Sequence, residues 1–367
     1  MRYPALVLAM AGLLLAENIP LPQLTAEQKA EIEAAIPAQT VVKPKRARKI
    51  LLTHMTRRNG KPVNGHGSIA WANHALTLTG QKTGAFEVTI ANDESAFTAD
   101  NLKQYDVILF NNTLGVLFDD PALRQALIDF VKEGKGFVGF HAAAATFVQY
   151  PVYDQFPEFG AMLGGYEDGG HPWEPRDTTH VKIDDPKSPL TAMFKGPFTI
   201  SDEAFQFREP ALRDRMHVLL SIDASKMEMG PQHRILKQRQ SDLDFPISWI
   251  KPYGKGRVFY TTMGHNPKAF ADPTLLRLGS DGLRVLDAQR KALQAQWRGF
   301  FSDFDAVICP VMPVPAFLLD LLLVMSITSA ILILMTAPFL GLGMLALFRQ
   351  GSGALPEWTR ALQTTLT

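Results

Sequence analysis

An α/β fold is what this sequence predicts: a mostly parallel, doubly wound sheet with helices on both faces. Three observations carry it. Short strand-like runs at 50–53, 86–90, 106–110 and 136–140 alternate with segments of helical periodicity, which is the pattern of βαβ units. The run 136–140 is apolar throughout and has glycines at 134 and 136, as suits a central parallel strand covered on both faces. Polar side chains cluster just past strand ends, at Asn112 and Thr113, at His141 and at His265, where open α/β sheets bind their ligands.

Composition sets the class. The 367 residues are enough for one large domain or two smaller ones. With 46% hydrophobic residues, 20% charged and a net charge of +1, the chain is globular and has no basic excess, so a nucleic-acid partner is not implied. The single cysteine, Cys309, excludes an internal disulfide framework and a Cys/His metal knuckle.

Taken in order, Met1-Arg2-Tyr3-Pro4 precedes an apolar run ending at Ala16. A short basic start and a short apolar core match a signal peptide over 1–16; an uncleaved anchor or a core helix is the alternative. Residues 17–48 read as a helix and a basic linker. Thr25-Ala26-Glu27-Gln28 is a capping box that opens the helix, and Pro37 stops it beyond Ile36. The α/β domain spans 49–278. A helix over 68–83 places Ile69, Ala72, Leu76 and Thr79 on one face. A helical turn covers 98–104. Asp120-Pro121 starts a helix with Leu123, Leu127, Phe130 and Val131 toward the core. From 151 to 210 helical periodicity fades, and 164–173 is a glycine-rich loop. Strands follow at 180–183, 216–220, 245–249 and 257–261, the last two joined by a hairpin turn over 252–256.

The C-terminal part has a different character. Residues 321–348 carry no charge and exceed the length needed to cross a bilayer. A transmembrane helix over 317–349 is expected, with a very hydrophobic buried helix as the alternative. Asp320 before it and Arg349 after it put the C-terminus in the cytoplasm by the positive-inside tendency. The main domain is then exported and anchored by 317–349, with 350–367 as a tail.

The candidate site residues are His66, Asn112, Thr113, His141, His171, Asp202, Glu203 and His265. A histidine at a strand end is either a core residue satisfied by a carbonyl or a site residue, and position favours the site for His141. Histidine with carboxylate is the natural equipment for acid–base chemistry near neutral pH. In an extended segment Asp202 and Glu203 point to opposite faces. One faces the site while the other caps or pairs elsewhere; exposed surface acids are the alternative. A divalent metal on His141, His171 and His265 is a second use of the same groups, although no close-spaced metal motif is present. No Gly-x-Ser-x-Gly elbow, Gly-x-Gly-x-x-Gly or Walker loop occurs, which disfavours serine nucleophiles and nucleotide binding.

Four motifs in order carry a resemblance: Gly139-Phe140-His141-Ala142-Ala143, the Gly-Gly loop ending in His171, Ser201-Asp202-Glu203, and the run from Gly254 to His265. Together they resemble the ThuA-like (trehalose utilisation) family over 49–275. The resemblance implies a flavodoxin-like sheet similar to class I glutamine amidotransferases. Those enzymes carry a cysteine nucleophile where this chain has His141, so glutaminase activity is not expected. It further implies a role in sugar catabolism, on trehalose or 3-keto-sugars. His141, Glu203 and Asp202 are then the catalytic candidates, and His66, Asn112, Thr113, His171 and His265 the substrate-binding ones. Lys187-Ser188-Pro189 departs from the family, where a histidine precedes the proline. Residues 279–316 look like the end of an amidase-signature enzyme without its Ser-Ser-Lys core, so amidase activity is not carried over. The hydrophobic segment is similar to the first membrane segment of export-gate proteins. Three fragments in one chain suggest a fusion or composite. The expected function is acid–base chemistry on a carbohydrate; the alternative is a non-catalytic carbohydrate-binding module tethered to a membrane.

Overall fold

The computed structural model describes residues 19–37, 46–149, 156–167, 170–208, 212–279 and 282, together with the backbone at 309–310 and 344–345. Two compact units divide the chain, Met1–Leu286 and Asp287–Thr367.

The first unit is built on one sheet. Its strands are β1 (Arg48–Thr53), β4 (Phe86–Ile90), β5 (Val107–Asn111), β6 (Gly136–Phe140), β7 (Thr178–Ile183), β8 (Phe198–Ser201), β9 (His217–Ile222), β10 (Pro246–Tyr253) and β11 (Gly256–Thr261). A separate small hairpin joins β2 (Arg57–Arg58) to β3 (Lys61–Pro62). The sheet order is β4-β1-β5-β6-β11-β10-β9-β7-β8. From β4 to β11 every neighbour is parallel. From β11 to β8 every neighbour is antiparallel. The parallel half matches the expected doubly wound sheet; the antiparallel wing is an addition to it. Direction within the wing matters for the site. Alternate strands reverse, so β9 and β8 point the same way as the parallel strands, and β8 ends at the same sheet edge as β6 and β11.

Alternation along the strands shows why helices cover both faces. On β5, Ile108 and Phe110 enter one apolar cluster, while Val107 and Leu109 enter the other. On β6, Phe137 goes to the first and Val138 and Phe140 to the second. The first is covered by α3 (Ala99–Leu102), through Leu102, by α4 (Pro121–Lys132), through Leu123, Leu127, Phe130 and Val131, and by α5 (Pro157–Leu163). The second is covered by α2 (Ile69–Thr83), through Trp71, Ala72, Ala75 and Leu76, and by α1 (Ala26–Ala35), through Ile32 and Ala35. The capping box is formed at the start of α1: Gln28 N–H donates to Thr25 Oγ1 at 3.2 Å, and Thr25 N–H to Gln28 Oε1 at 2.9 Å.

Two elements differ from the sequence reading. Helix α5 stands where helical periodicity fades. Its Gly160 reads as a breaker, but a Cβ there would lie 2.4 Å from Tyr166 Cε2, so the glycine makes room for a ring. Strand β8 is four residues long, with Gly196-Pro197 just before it, too little for a pattern to register.

In the second unit, Cys309–Pro310 pairs antiparallel with Met344–Leu345. The expected membrane helix over 317–349 is therefore corrected at residues 344–345, which are extended. Glycines at 341 and 343 in the sequence are poor helix formers, and the pairing satisfies backbone groups of Met344 and Leu345. The rest of 317–349, the signal peptide over 1–16, nearly all of the amidase-like fragment 279–316 and the tail 350–367 lie outside the described residues. Among the described residues no helix is long and apolar enough to cross a membrane.

Candidate active site

The site is assembled from the C-terminal ends of strands. Immediately after β6 the chain enters a tight helical turn, His141–Ala145, wholly buried. His141 takes φ +48°, the left-handed region that side chains other than glycine seldom adopt. Such strain marks a position fixed by its surroundings, and here the fixings are visible. Tyr260 Oη donates to the His141 carbonyl at 2.6 Å. His141 Nδ1 lies 2.7 Å from the Thr262 carbonyl. A carbonyl only accepts, so Nδ1 carries the hydrogen and Nε2 is turned to the site.

Beyond β8, Asp202 and Glu203 separate as alternation requires. Asp202 Oδ2 accepts from Gly264 N–H at 2.7 Å, while Oδ1 accepts from Asn266 N–H at 2.8 Å and from Glu203 N–H at 3.0 Å. Its carboxyl is thus a clamp between the end of β8 and the loop after β11. Burial raises its pKa against the pull of His141 and these amides. Glu203 faces the opposite way, into the histidines. Its Oε1 is 2.8 Å from His171 Nδ1, and its Oε2 is 3.2 Å from His141 Nε2. The second contact is off the axis of a hydrogen bond, since His141 Nε2 has no aligned partner. Burial works to raise the Glu203 carboxyl, but the hydrogen bond from His171 and the close approach of His141 hold it far below the usual carboxylate range.

Three rings close the pocket edge to edge. Centroids of His66 and His141 are 4.8 Å apart, those of His66 and His265 5.0 Å, and those of His141 and His265 5.2 Å. Burial, then the charges of His141 and His265, push His66 down to about 3. Burial and His141 likewise lower His265. Both rings are therefore neutral at pH 7. His171 behaves differently. Burial opposes its charged form, yet Glu203, with Glu167 and Glu174 beyond, raises its pKa. Its side chain is 36% exposed, whereas Glu203 is 5% exposed. Phe205 is the floor shared by two rings, 4.5 Å from His141 and 4.9 Å from His171.

The expected residues do not all take the same part. His66, His141, His171, Glu203 and His265 converge. The cluster of mutually close donor atoms comprises His66, His141, Glu203 and His265, so His66 stands where the expected metal set had His171. Asn112 and Thr113 follow the end of β5. Asn112 Nδ2 donates to Asn111 Oδ1 at 2.9 Å, and its Oδ1 is buried without a partner. Thr113 Oγ1 pairs with Thr146 Oγ1 at 2.6 Å, which makes it a strut of the buried turn.

Sequence reasoning missed several neighbours. Glu167, 1% exposed, lies 3.6 Å from His171 Nε2 through its Oε1; the Glu-x-x-x-His spacing was the signal. A polar chain runs along the same edge: His54 Nδ1 meets Asn73 Nδ2 at 3.0 Å, and Asn73 Oδ1 accepts from Asn111 Nδ2 at 2.9 Å. Burial lowers His54 to about 4. Phe205 and Tyr260 gave no signal, because an aromatic in a strand-rich segment reads as core.

Comparison with known proteins supplies the remaining finding. A family model described as "ThuA: Trehalose utilisation" matches residues 56–284. A ThuA-like protein of Bacteroides uniformis of known structure is similar at 25% identity and a TM-score of 0.50, covering 67% of this chain and 94% of that one. A second ThuA-like protein, from Parabacteroides merdae, is 16% identical with a TM-score of 0.45, covering 65% of this chain and 90% of that one. No curated protein sequence matches the chain.

Proposed function

We propose a function from one premise: the chain belongs to the ThuA (trehalose utilisation) family. It serves sugar utilisation by proton transfer on a carbohydrate of the trehalose or 3-keto-sugar type. The observation that carries this reading is Glu203, one buried carboxylate joined to His171 through Oε1 and set against His141 through Oε2.

The roles follow from exposure and charge. His171 is the half-exposed member of the pair and holds its proton to higher pH than a free imidazole. It therefore delivers the proton to an oxygen of the sugar. Glu203 keeps that proton on His171 and takes up the positive charge of the ring. His66 and His265 are neutral, so each keeps one ring N–H to donate to a sugar hydroxyl. Asp202 is a positioning residue, since its oxygens are engaged by backbone amides.

Steady-state turnover of trehalose and of a 3-keto-disaccharide by the wild type and by His171→Gln tests the assignment. Loss of a proton-transferring side chain is expected to cost roughly 10²–10⁴-fold in kcat. Equal rates in the two proteins would overturn it. Sugar binding without turnover in the wild type would favour the binding-module alternative.

A further inference from the structure

We propose that His66, His141, His265 and Glu203 form a binding site for one divalent first-row transition-metal ion, with zinc(II) as the best match. The inference deepens the reading above, because it rests on the same pocket being the working site.

The first support is convergence. One donor atom from each of the four residues lies within 4.8 Å of every other. In a tetrahedral zinc site with bonds of about 2.0–2.2 Å, ligand atoms stand roughly 3.3–3.6 Å apart. The pair His141 Nε2 and Glu203 Oε2, at 3.2 Å, is already at that spacing. The other donor atoms, within 4.8 Å of one another, have to draw in by up to about 1.5 Å to reach it.

The second support is the direction of the lone pairs. The Thr262 carbonyl fixes the hydrogen of His141 on Nδ1. Nε2 is then turned toward a carboxylate oxygen 3.2 Å away, with no aligned hydrogen bond between them. Buried polar atoms without an aligned partner call for one, and a metal ion would join them. His66 Nδ1 is likewise buried without a partner. No two of the three rings hydrogen-bond to each other among the described residues; they meet edge to edge at 80–87°. Polar rings packed this way lack the pairing that a structural cluster would show.

The third support is the outer layer. Metal-bound imidazoles commonly donate their other N–H to a carbonyl or carboxylate. His141 does so to Thr262, at 2.7 Å. The outer oxygen of Glu203 is held by His171 Nδ1, at 2.8 Å. Asp202 is excluded as a further ligand because backbone amides occupy both its oxygens. Three imidazoles and one carboxylate suit zinc or its first-row neighbours, and not calcium or magnesium, which want oxygen.

The test uses the full chain, stripped with a chelator, and the metal alone. Calorimetric titration with zinc(II), with elemental analysis of the dialysed complex, is expected to give about one ion per chain. His66→Ala and His265→Ala are each expected to weaken binding at least ~100-fold, since each removes a direct ligand. His217→Ala, outside the pocket and paired with Asp185, is expected to leave it unchanged. Cobalt(II) bound to the wild type is expected to show the intense visible bands of four-coordinate geometry, a readout independent of how any variant folds. The proposal is overturned if the wild type takes up no ion, if the affinity of both ligand variants equals that of the wild type, or if cobalt shows only its weak octahedral spectrum. No sugar enters these measurements. A protein that binds no metal but loses turnover in His171→Gln sinks this inference alone; one that binds zinc and turns over no sugar sinks the functional reading alone.

Discussion

At the scale of residues, a pair of adjacent acids divides the labour. Asp202 and Glu203 are neighbours on an extended segment, so they must face opposite ways. The sequence therefore showed that one would enter the site, but not which. The answer lies in Gly264 and Asn266, more than sixty residues away, whose amides Asp202 accepts at 2.7 and 2.8 Å. Asp202→Asn separates the two roles. It places an amide donor on one of the two oxygens and leaves an amide hydrogen of the backbone unmet. A buried unsatisfied donor costs about 1–3 kcal/mol, so urea unfolding is expected to show a destabilisation of that size. Activity is expected to fall as His265 shifts, with the alkaline limb of the pH profile unmoved. An Asp202→Asn protein as stable as the wild type would remove the clamp from the account. His141 was legible because a lone polar side chain after a buried strand is conspicuous. Phe205 was not, because nothing local separates an aromatic floor from an aromatic core.

At the scale of elements, the strands and helices of the parallel half follow from local pattern. β4 and β6 stand where the strand-like runs are, and α2 and α4 bury the faces their periodicity indicates. Helix α1 shows the limit of this kind of reading. Its capping box was plain, but the basic stretch after it separates it from the domain in sequence. In space Ile32 is fully buried among the side chains of α2. Ile32→Ala is expected to cost about 2–5 kcal/mol, the range for a core truncation that leaves a cavity. Thermal unfolding in one transition with a lowered midpoint is the expected observation. An unchanged midpoint would mean that α1 does not contribute to the domain. The loop after β11 illustrates a different limit. Gly264 has φ +130°, and its position is needed so that Asp202 can grip the loop and bring His265 to the pocket. Its neighbours in sequence announce a turn, but not the partner that fixes it.

At the scale of the whole molecule, strand direction decides where the chemistry gathers. β8 lies at the far edge of an antiparallel wing, yet it points the same way as the parallel strands and ends beside them. That placement joins Glu203 to His141 of β6 and to the loop after β11. Pattern along the chain can find strands, but the order β11-β10-β9-β7-β8 depends on long-range pairing and was out of its reach. We propose this shared edge as a proton-transfer site for a carbohydrate, with Glu203 at its centre. The pH dependence of kcat on a 3-keto-disaccharide, for the wild type and for Glu203→Gln, tests it most directly. His171 acts in its protonated form and its pKa is raised, so activity is present below that pKa and lost as pH rises through it. The wild type is therefore expected to keep its activity to a pH above 6.5, the ordinary value of a histidine. Glu203→Gln is expected to reduce kcat roughly 100-fold or more and to move the alkaline limb to lower pH. A variant with the rate and pH profile of the wild type would contradict the account.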